Sequence, residues 1–293
     1  MKLKFSEMMK MIQYLKLLKP PTMKFRDYLI YFFLCLLTGI LVLPLSLFGN
    51  KTFKQSIFTL FPRFMPKDLL IKFRGCRFKA RKGKVDILLL SELSEPFMSQ
   101  YFKPKEGDIV VDCGAHVGKY TLPASKMVGG DGKVIAVEPH PENYEALLRN
   151  ININGFRNIL AFNVVAFDYG GQILLNESGH DAGYSVKGTI SGDSILVKAR
   201  TLDSILLGDL GLSKVDYMKI DVEGAEVEVL KGARKIIAKS PDIKILIEVE
   251  RGYEIEVDTI LNELGCDKSE YLGEVGASGN VCEKYYFKSR GAC

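Results

Sequence analysis

Acidic residues and glycines stand at the ends of short apolar runs, and their types and spacing could do chemistry. In the run Val110–Thr121 (VVDCGAHVGKYT), Asp112 is followed by Gly114 and Gly118. Glu138 ends the next apolar run, 20 residues after Gly118. An acid at this distance commonly binds the two hydroxyl groups of a ribose. The pattern therefore indicates a ligand that contains a nucleoside.

The loop after Asp112 distinguishes two kinds of nucleoside ligand. A dinucleotide loop reads G-x-G-x-x-G, whereas this loop has a wider glycine spacing and places a carboxylate where a pyrophosphate would be repelled. A carboxylate is favourable beside the ammonium group of a sulfonium amino acid. Glycines let a ligand approach the backbone, and the following helix exposes its first N–H groups. The loop favours S-adenosylmethionine over NAD, with an ordinary strand-to-helix turn as the alternative.

A second group of reactive side chains lies in the stretch KIDVEGAE. Asp221 and Glu223 flank a predicted strand end and are candidate general bases. Lys219 precedes Asp221 by two residues, on the same face of the strand, and we include it among the candidate catalytic residues. Glu226 falls in the first turn of the next helix, where a carboxylate is favoured by the helix dipole in any case. A role for Glu226 in the site is the alternative.

These residues need a sheet to bring them together, and the chain has the pattern for one. From about Asp108 onward, β-branched runs alternate with amphipathic stretches, which predicts a mostly parallel sheet with helices on both faces. Ligands bind such sheets at the carboxyl ends of the strands, where the acids stand. The predicted strands are Asp108–Cys113, Lys133–Glu138, Asn158–Phe167, Val215–Asp221 and Asp242–Glu250.

Helices and hairpins are predicted between and after these strands. One helix ends near Val128, one runs from Pro141 to Asn154, and one covers Ala225–Ile237. Proline is favoured at a first helical position and glycine after a helix end. Gly170–Ala199 is rich in glycine and predicts an antiparallel hairpin or lid. The last predicted elements, Tyr271–Asn280 and Glu283–Ser289, form a terminal hairpin.

Several motifs together resemble the FkbM-type methyltransferases. They are D-C-G-A-H-V-G, A-V-E-P-H-P-E-N-Y-E-A-L-L-R-N-I-N-I-N-G, T-L-D-S and K-I-D-V-E-G-A-E, in order between about Pro104 and Glu250. The resemblance implies an α/β, Rossmann-like class I methyltransferase fold with a seven-stranded sheet, and S-adenosylmethionine as the cofactor. No residue is predicted to bind a metal, and the sequence does not predict whether a metal assists the reaction. By position, the resemblance implies that the cofactor is bound by Asp112, Gly114, Ala115, His116, Gly118, Glu138, Val165, Ala166 and Asp221.

The resemblance also implies which part of the cofactor each of these residues contacts. Asp112 and the loop glycines would hold the methionine end, and Glu138 the ribose. Val165 and Ala166 would lie near the adenine, and Asp221 would close the site beside the methyl group. The members of this family usually have Asn where His116 stands. A neutral imidazole can also bond to the loop backbone, so a loop-organising role for His116 is favoured over catalysis.

The other histidines carry less weight. His140 occupies a variable position of the E-P-x-P turn, and His180 lies in the predicted lid, from which it could reach a substrate. The six cysteines show no paired C-x-x-C spacing, which argues against a zinc site or a disulfide framework.

The N-terminal part of the chain predicts attachment to a membrane. Tyr28–Gly49 has no charged residue in 22 positions, and as a helix it would extend roughly 33 Å, enough to cross a bilayer. Pro44 leaves open a helix that enters one leaflet only, and a buried core helix or a signal peptide would also fit the apolar run. The predicted organisation is a basic segment 1–27, an anchor 28–49, a basic linker with accessory elements 50–103, and the methyltransferase domain 104–293.

Charge gives two opposing indications of topology. Seven cations precede the apolar segment and four follow it within a similar distance, which mildly favours a cytoplasmic N-terminus. S-adenosylmethionine is made in the cytosol, and on that ground we expect the domain to face the cytoplasm. Ile71–Lys84 contains seven cations and no acid. With no recognisable nucleic-acid module, it favours a solvated strand pair near an anionic lipid surface.

The sequence as a whole predicts a membrane-anchored, S-adenosylmethionine-dependent O-methyltransferase, single-pass or monotopic. The expected acceptor is a hydroxyl group on a glycan, a lipid-linked sugar or a related metabolite. Methylation of nitrogen or of a protein side chain is one alternative, and a membrane-tethered scaffold without activity is another. The sequence does not predict the oligomeric state.

Overall fold

The computed structural model describes residues 67–90, 98–177, 184–186, 194–275 and 283–289. The chain divides into two compact units, Met1–Pro96 and Phe97–Cys293. The predicted anchor Tyr28–Gly49 and the predicted lid histidine His180 lie outside the described residues. Among the helices that are described, none is long and apolar enough to span a bilayer.

The described part of the first unit is a small hairpin. β1 (Leu69–Phe73) and β2 (Cys76–Ala80) pair antiparallel, and the turn between them has Arg74 in a left-handed conformation with φ 48°. The strand pair predicted in the basic stretch is thus confirmed. The short helix α1 (Asp86–Leu89) follows, and the carboxylate of its first residue forms a buried ion pair with Arg81 at 2.8 Å.

The second unit contains two sheets and the helices packed on them. Its strands are β3 (Ile109–Cys113), β4 (Lys133–Val137), β5 (Ile159–Phe162), β6 (Val165–Ala166), β7 (Gly171–Glu177), β8 (Tyr184–Ser185), β9 (Ser194–Arg200), β10 (Tyr217–Ile220), β11 (Lys244–Val249), β12 (Lys268–Val275) and β13 (Glu283–Ser289). Its helices are α2 (Met98–Tyr101), α3 (Thr121–Val128), α4 (Pro141–Asn154), a π-helix (Ser204–Asp209), α5 (Glu226–Gly232), α6 (Arg234–Lys239) and α7 (Glu254–Glu263).

The main sheet has seven strands in the order β12-β13-β11-β10-β3-β4-β5. β13 is antiparallel to both of its neighbours, β12 and β11. The strands from β11 through β10, β3 and β4 to β5 are all parallel to one another. The predicted mostly parallel sheet and the terminal hairpin are therefore confirmed. The strand order reverses after β3, so β3, β4 and β10 end next to one another at the point where such sheets bind ligands.

Local signals fixed the elements that flank this point. The central strands are buried on both faces because helices cover the sheet on each side, and their β-branched residues pack there. α4 has Pro141 at its N-terminus, and Gly155 after its last residue adopts a left-handed φ of 68°, as the sequence predicted. The largest core cluster joins the sheet to α5, α6 and α7, with Met218, Ile245 and Leu261 among its fully buried members.

Two predicted elements are each divided in the structure. The predicted strand Asn158–Phe167 is β5 followed by β6, and Asn163 between them turns its side chain to the carbonyls of Glu138 and Pro139. β6 leaves the main sheet and pairs with β9. The continuous strand was thus a wrong prediction, because a polar side chain ends the first part.

The predicted helix Ala225–Ile237 was also wrong as a single helix. It breaks into α5 and α6 at Ala233. Gly232 packs so closely that a Cβ there would lie 2.0 Å from the carbonyl oxygen of Phe167. The carboxylate of Asp203, in the T-L-D-S motif, accepts the N–H groups of Lys235 and Ile236 at 3.0 and 2.8 Å. This residue caps α6 from a distant part of the chain.

The hairpin predicted in Gly170–Ala199 is confirmed. β7 and β9 pair antiparallel, and they form a four-stranded sheet in the order β6-β9-β7-β8. Val165, Leu175 and Val197 pack on one of its faces. Ser185 in β8 donates a hydrogen bond to the backbone carbonyl of Glu223 at 2.8 Å, which joins this small sheet to the acidic turn after β10.

Candidate functional site

The register between β3 and β10 sets Lys219 directly beside Asp112. The Nζ atom of Lys219 lies 2.8 Å from Oδ2 of Asp221 and 3.9 Å from Oδ1 of Asp112. It also lies 4.8 Å from the centre of the Tyr120 ring. The Lys219 side chain is only 2% exposed. Lys219 therefore lies beneath the two acids and offsets part of their negative charge from within the protein, where it can hold Asp221 in position.

Asp112 is fully buried at the end of β3. Its Oδ2 atom accepts a hydrogen bond from the Thr121 hydroxyl at 2.5 Å, while Oδ1 has no hydrogen-bond partner among the described residues. Burial raises the pKa of Asp112, and the nearby Lys219 ammonium and the Thr121 hydroxyl oppose that rise. Asp112 thus faces protein groups, and its direct contact with a ligand ammonium stays a prediction.

Asp221 is the accessible member of this group, with 26% of its side chain exposed. Burial raises its pKa, but the Lys219 ammonium, its hydrogen bond to Asp221 and the hydrogen bonding between Asp221 and Glu248 together lower it by more. The pKa of Asp221 therefore lies below its ordinary value. Asp221 presents an ionised carboxylate at the carboxyl edge of the sheet.

Glu138 ties two loops together at the end of β4. Its carboxylate accepts the N–H of His116 at 2.7 Å and the N–H of His140 at 3.0 Å. Burial raises its pKa to about 7, against the opposing effect of these backbone hydrogen bonds. Asn163 fixes the same loop by donating to the Glu138 carbonyl at 2.9 Å. The sequence reasoning missed Asn163, although an asparagine that interrupts a β-branched run was a usable signal.

The two loop glycines are required by the packing of the protein itself. Gly114 has φ 82°, and a Cβ there would lie 1.7 Å from the carbonyl oxygen of Asp221. Gly118 has φ 95°, and a Cβ there would lie 2.3 Å from Leu122. Between them, the N–H of Ala115 donates to the carbonyl of Val137 at 3.0 Å. Gly114 therefore lets the loop lie against the end of β10, and Gly118 lets it lie against Leu122 and Leu147. The sequence did not reveal these reasons.

Gly114→Ala is expected to lower the free energy of unfolding by about 3 kcal/mol or more, because the new methyl group would collide with backbone. Urea denaturation measures the change. Gly130→Ala is the matched control, since a Cβ at Gly130 meets no atom within 4 Å, and it should change stability by less than about 0.5 kcal/mol. Equal stability of the two variants would contradict this account of the loop.

His116 and Glu223 are two non-glycine residues with left-handed backbones at the site, with φ 48° and 55°. Asparagine and histidine tolerate this conformation better than most residues. His116 contributes its backbone N–H to Glu138, which favours the loop-organising interpretation of this residue. The same conformation would also suit the asparagine that the family resemblance leads us to expect at this position.

The conformation predicts the effect of substitution at His116. His116→Asn should leave stability nearly unchanged, whereas His116→Val should cost about 1–2 kcal/mol, because a β-branched residue is strained at positive φ. Thermal and urea denaturation of both variants measure the difference. If the His116→Val variant were as stable as the His116→Asn variant, the left-handed backbone conformation would not explain the residue found at this position.

The predicted adenine contacts are less direct. Val165 and Ala166 are 5% and 3% exposed, and they pair with Ala199 and Arg200 of β9. Their side chains pack inside the protein, so their position near an adenine stays a prediction. Within the described ranges, no group of three or more His, Cys, Asp or Glu side chains is arranged to hold a metal ion.

The fold and the site together define a class of protein. Acids stand at the ends of three adjacent strands, β10, β3 and β4, in a seven-stranded sheet with one antiparallel strand. This arrangement is that of the class I methyltransferases. The family model of the methyltransferase FkbM domain matches residues 112–268, more than half of the chain, and the chain belongs to the FkbM methyltransferase family.

Two relatives match parts of the chain. The methyltransferase sdnD of Sordaria araneosa is 26% identical over 195 residues, which covers 51% of this chain and 74% of that protein. A tRNA (guanine(37)-N(1))-methyltransferase of Anopheles darlingi is 32% identical over 103 residues. That match covers 35% of this chain and only 20% of the relative.

Two solved structures are similar to parts of this chain at low sequence identity. A SAM-dependent methyltransferase from Aquifex aeolicus is 18% identical and aligns 67% of this chain with 95% of that chain, at a TM-score of 0.35. TYW2 of M. jannaschii, in complex with AdoMet, is 14% identical and aligns 76% of this chain with 85% of that chain, at a TM-score of 0.43.

S-adenosylmethionine is the cofactor of this family, and the chain is an S-adenosylmethionine-dependent methyltransferase. The groups at the strand ends fit this cofactor. Asp112, Glu138 and Asp221 supply negative charge and hydrogen-bond acceptors, and the buried oxygen of Asp112 lacks a hydrogen bond among the described residues. A cationic ligand with ribose hydroxyls suits such acceptors, whereas a pyrophosphate would be repelled by them.

Proposed function

We propose that this chain methylates a hydroxyl group on a glycan, a lipid-linked sugar or a related metabolite. The observation that carries the proposal is the carboxylate of Asp221, which is ionised, partly exposed and fixed by the buried Lys219 at 2.8 Å. A hydroxyl acceptor must lose its proton, and a positioned carboxylate can take it. The bound cofactor supplies an electrophilic methyl group on a sulfonium sulfur.

Each residue of the site has a defined task in this proposal. Glu138 accepts hydrogen bonds from the ribose hydroxyls, and Asp112 provides negative charge near the methionine end. Asp221 orients the acceptor hydroxyl and receives its proton, with Glu223 as the second candidate base. Lys219 contacts neither substrate. It is a positioning residue, and it keeps Asp221 ionised and aimed at the edge of the sheet. Most of the rate gain then comes from the alignment of the reacting groups.

The raised pKa of Glu138 predicts how cofactor binding depends on pH. Below about pH 7 the buried carboxyl group is mostly protonated, and it then loses acceptor capacity for the ribose hydroxyls. The dissociation constant for S-adenosylmethionine should therefore fall about tenfold from about pH 6 to about pH 8. Calorimetry measures it. Glu138→Gln should bind more weakly and show no such dependence, and a dependence that persists in this variant would exclude Glu138 as its origin.

The apolar segment Tyr28–Gly49 supports a membrane location for the acceptor, since a purely soluble substrate would need no anchor. The cationic strands β1 and β2 are compatible with an anionic lipid surface nearby. The cytosolic origin of the cofactor supports a domain on the cytoplasmic side. Protease accessibility on sealed vesicles tests this part. Protection of the domain on the external side would exclude the cytoplasmic orientation.

Mass spectrometry of lipids and glycans tests the proposed acceptor class. Extracts of cells with and without the protein are compared for species that differ by one methylene mass per methyl group. Fragmentation that places the methyl group on a sugar or lipid oxygen supports O-methylation. A product methylated on nitrogen would overturn it in favour of the second candidate function, which the tRNA (guanine(37)-N(1))-methyltransferase relative favours.

Calorimetry with S-adenosylmethionine separates both enzymatic functions from a scaffold. A scaffold that retains only the fold would not bind the cofactor. The intact set of Asp112, Glu138 and Asp221 supports binding, because a site without function would have no reason to keep acids at all three strand ends, two of them buried.

A further inference from the structure

Glu226 is a buried carboxyl group that the proposed reaction does not use. It is the first residue of α5 and is 1% exposed. Its Oε1 atom accepts the N–H of Gly224 at 2.9 Å, and Oε2 is buried with no hydrogen-bond partner among the described residues. A favourable interaction with the helix dipole needs no burial. The position of Glu226 therefore calls for another explanation.

The turn that Glu226 binds is the one that carries the candidate bases. Glu223 and Gly224 adopt left-handed conformations in succession, with φ 55° and 96°. A Cβ on Gly224 would lie 3.3 Å from Oε2 of Glu250, so the turn packs against the end of β11. A left-handed backbone at a non-glycine residue persists only where its surroundings hold it. The hydrogen bond from Gly224 to Glu226 is one such restraint.

The charges around Glu226 oppose its ionisation. Burial raises its pKa to about 7, the bonds from backbone N–H groups oppose that rise, and repulsion by Glu250 and Asp221 adds to it. The buried Lys219 is bonded to Asp221. The titratable and charged groups on the elements around Glu226 are Tyr217 and Lys219 from β10 with Asp221 at its end, Glu223 from the turn, Glu228 and Lys231 from α5, Lys244, Glu248 and Glu250 from β11 and its end, and Glu254, Glu256, Asp258 and Glu263 from α7.

We propose that Glu226 is a positioning residue for methyl transfer. Its buried carboxyl group accepts the Gly224 amide and so restrains the turn that carries Asp221 and Glu223. The closed turn is most stable while this carboxyl group is neutral, because an ionised carboxylate that is buried beside Asp221 and Glu250 costs free energy. This inference rests on the proposed function in one respect: it assumes that Asp221 or Glu223, in this turn, acts on the methyl acceptor.

The sign of the pH dependence follows from the two states of the turn. When the turn opens, water reaches Glu226 and its pKa returns toward the ordinary value of 4.5, whereas in the closed turn it is about 7. The stabilisation of the closed turn is complete below the lower value, declines as pH rises between the two, and is constant above the higher one. Opening therefore becomes easier between about pH 4.5 and about pH 7.

Amide hydrogen exchange of Gly224 in the full chain tests the inference directly. After correction for intrinsic exchange, protection should fall at least tenfold between about pH 5 and about pH 7.5. Glu226→Gln keeps the acceptor oxygen but cannot ionise, so its protection should not change with pH. Glu226→Ala should have low protection at both pH values. Glu228→Gln, on the same helix, is the matched control and should behave as the unmodified chain.

Two exchange results would overturn the inference. One is the same Gly224 protection at both pH values in the unmodified chain, which would mean a purely structural role. The other is full protection in Glu226→Ala. In cells, Glu226→Gln should restore the methylated product and Glu226→Ala should not, and equal restoration by both variants would also overturn it. If the unmodified chain yields no methylated product, the proposed function fails, while the exchange measurement still decides the role of Glu226.

Discussion

Glu138→Ala is expected to weaken the binding of S-adenosylmethionine by roughly 100-fold or more. The carboxylate would bond two ribose hydroxyls, and each hydrogen bond to a charged group contributes about 1.5–3 kcal/mol. Glu138 also accepts the N–H groups of His116 and His140, so its removal frees the loops on both sides of the cofactor. Isothermal titration calorimetry near pH 8 measures the loss.

Two further variants make this result specific. Glu145→Ala removes an exposed acid from α4 and should bind the cofactor with unchanged affinity. Glu138→Gln retains one acceptor oxygen and should lie between the unmodified chain and the alanine variant. Thermal denaturation of each variant shows whether the fold is kept. Unchanged binding by a folded Glu138→Ala protein would remove Glu138 from the cofactor site.

Asp221→Asn should reduce methyl transfer by about 10²–10⁴-fold, the usual contribution of a general base. Asparagine keeps the size of the side chain and an oxygen for Lys219, but it cannot take the proton of the acceptor. Binding of S-adenosylmethionine should weaken by about tenfold at most, far less than transfer, because the variant loses one negative charge beside the cationic cofactor but leaves the cofactor-binding loops in place. Transfer of a labelled methyl group to a total membrane extract measures the turnover.

The comparison with Glu223→Gln decides which acid is the base. If methyl transfer falls only in the Glu223→Gln variant, the proton of the acceptor hydroxyl passes to Glu223 instead of Asp221. If both variants retain full transfer and normal cofactor binding, the general-base assignment is wrong. Asp242→Asn is a suitable control, since Asp242 is an exposed acid before β11, at the opposite end of the strand.

Much of the fold could be predicted from the sequence because its signals are local. The strand Ile109–Cys113 is a short β-branched run between glycines, and α4 has a proline at its start and a glycine after its end. The alternation of such elements determines a parallel sheet with few possible topologies. The acids at the strand ends could be placed together for the same reason.

The features that were missed depend on contacts between distant parts of the chain. The register that sets Lys219 beside Asp112 belongs to the pairing of β3 with β10, which the spacing of residues does not encode. The break at Ala233 follows from the cap that Asp203 provides. The burial of Glu226 could not be predicted either, since a charged residue at a helix start is normally exposed. α7 was not predicted at all.

The hydrogen bond from Ser185 to the Glu223 backbone has a consequence for how the substrate specificity of this enzyme could evolve. The hydroxyl of Ser185 donates to a backbone carbonyl, an acceptor that every amino acid supplies, so the link constrains no side chain in the turn. The cofactor loops, by contrast, interlock through contacts such as Gly114 against Asp221 that tolerate no added atom. Mutations can therefore accumulate in the β7–β9 hairpin while the cofactor loops stay fixed. Such a chain can come to methylate new acceptors through changes in the β7–β9 hairpin alone, while the cofactor-binding part of the protein stays the same.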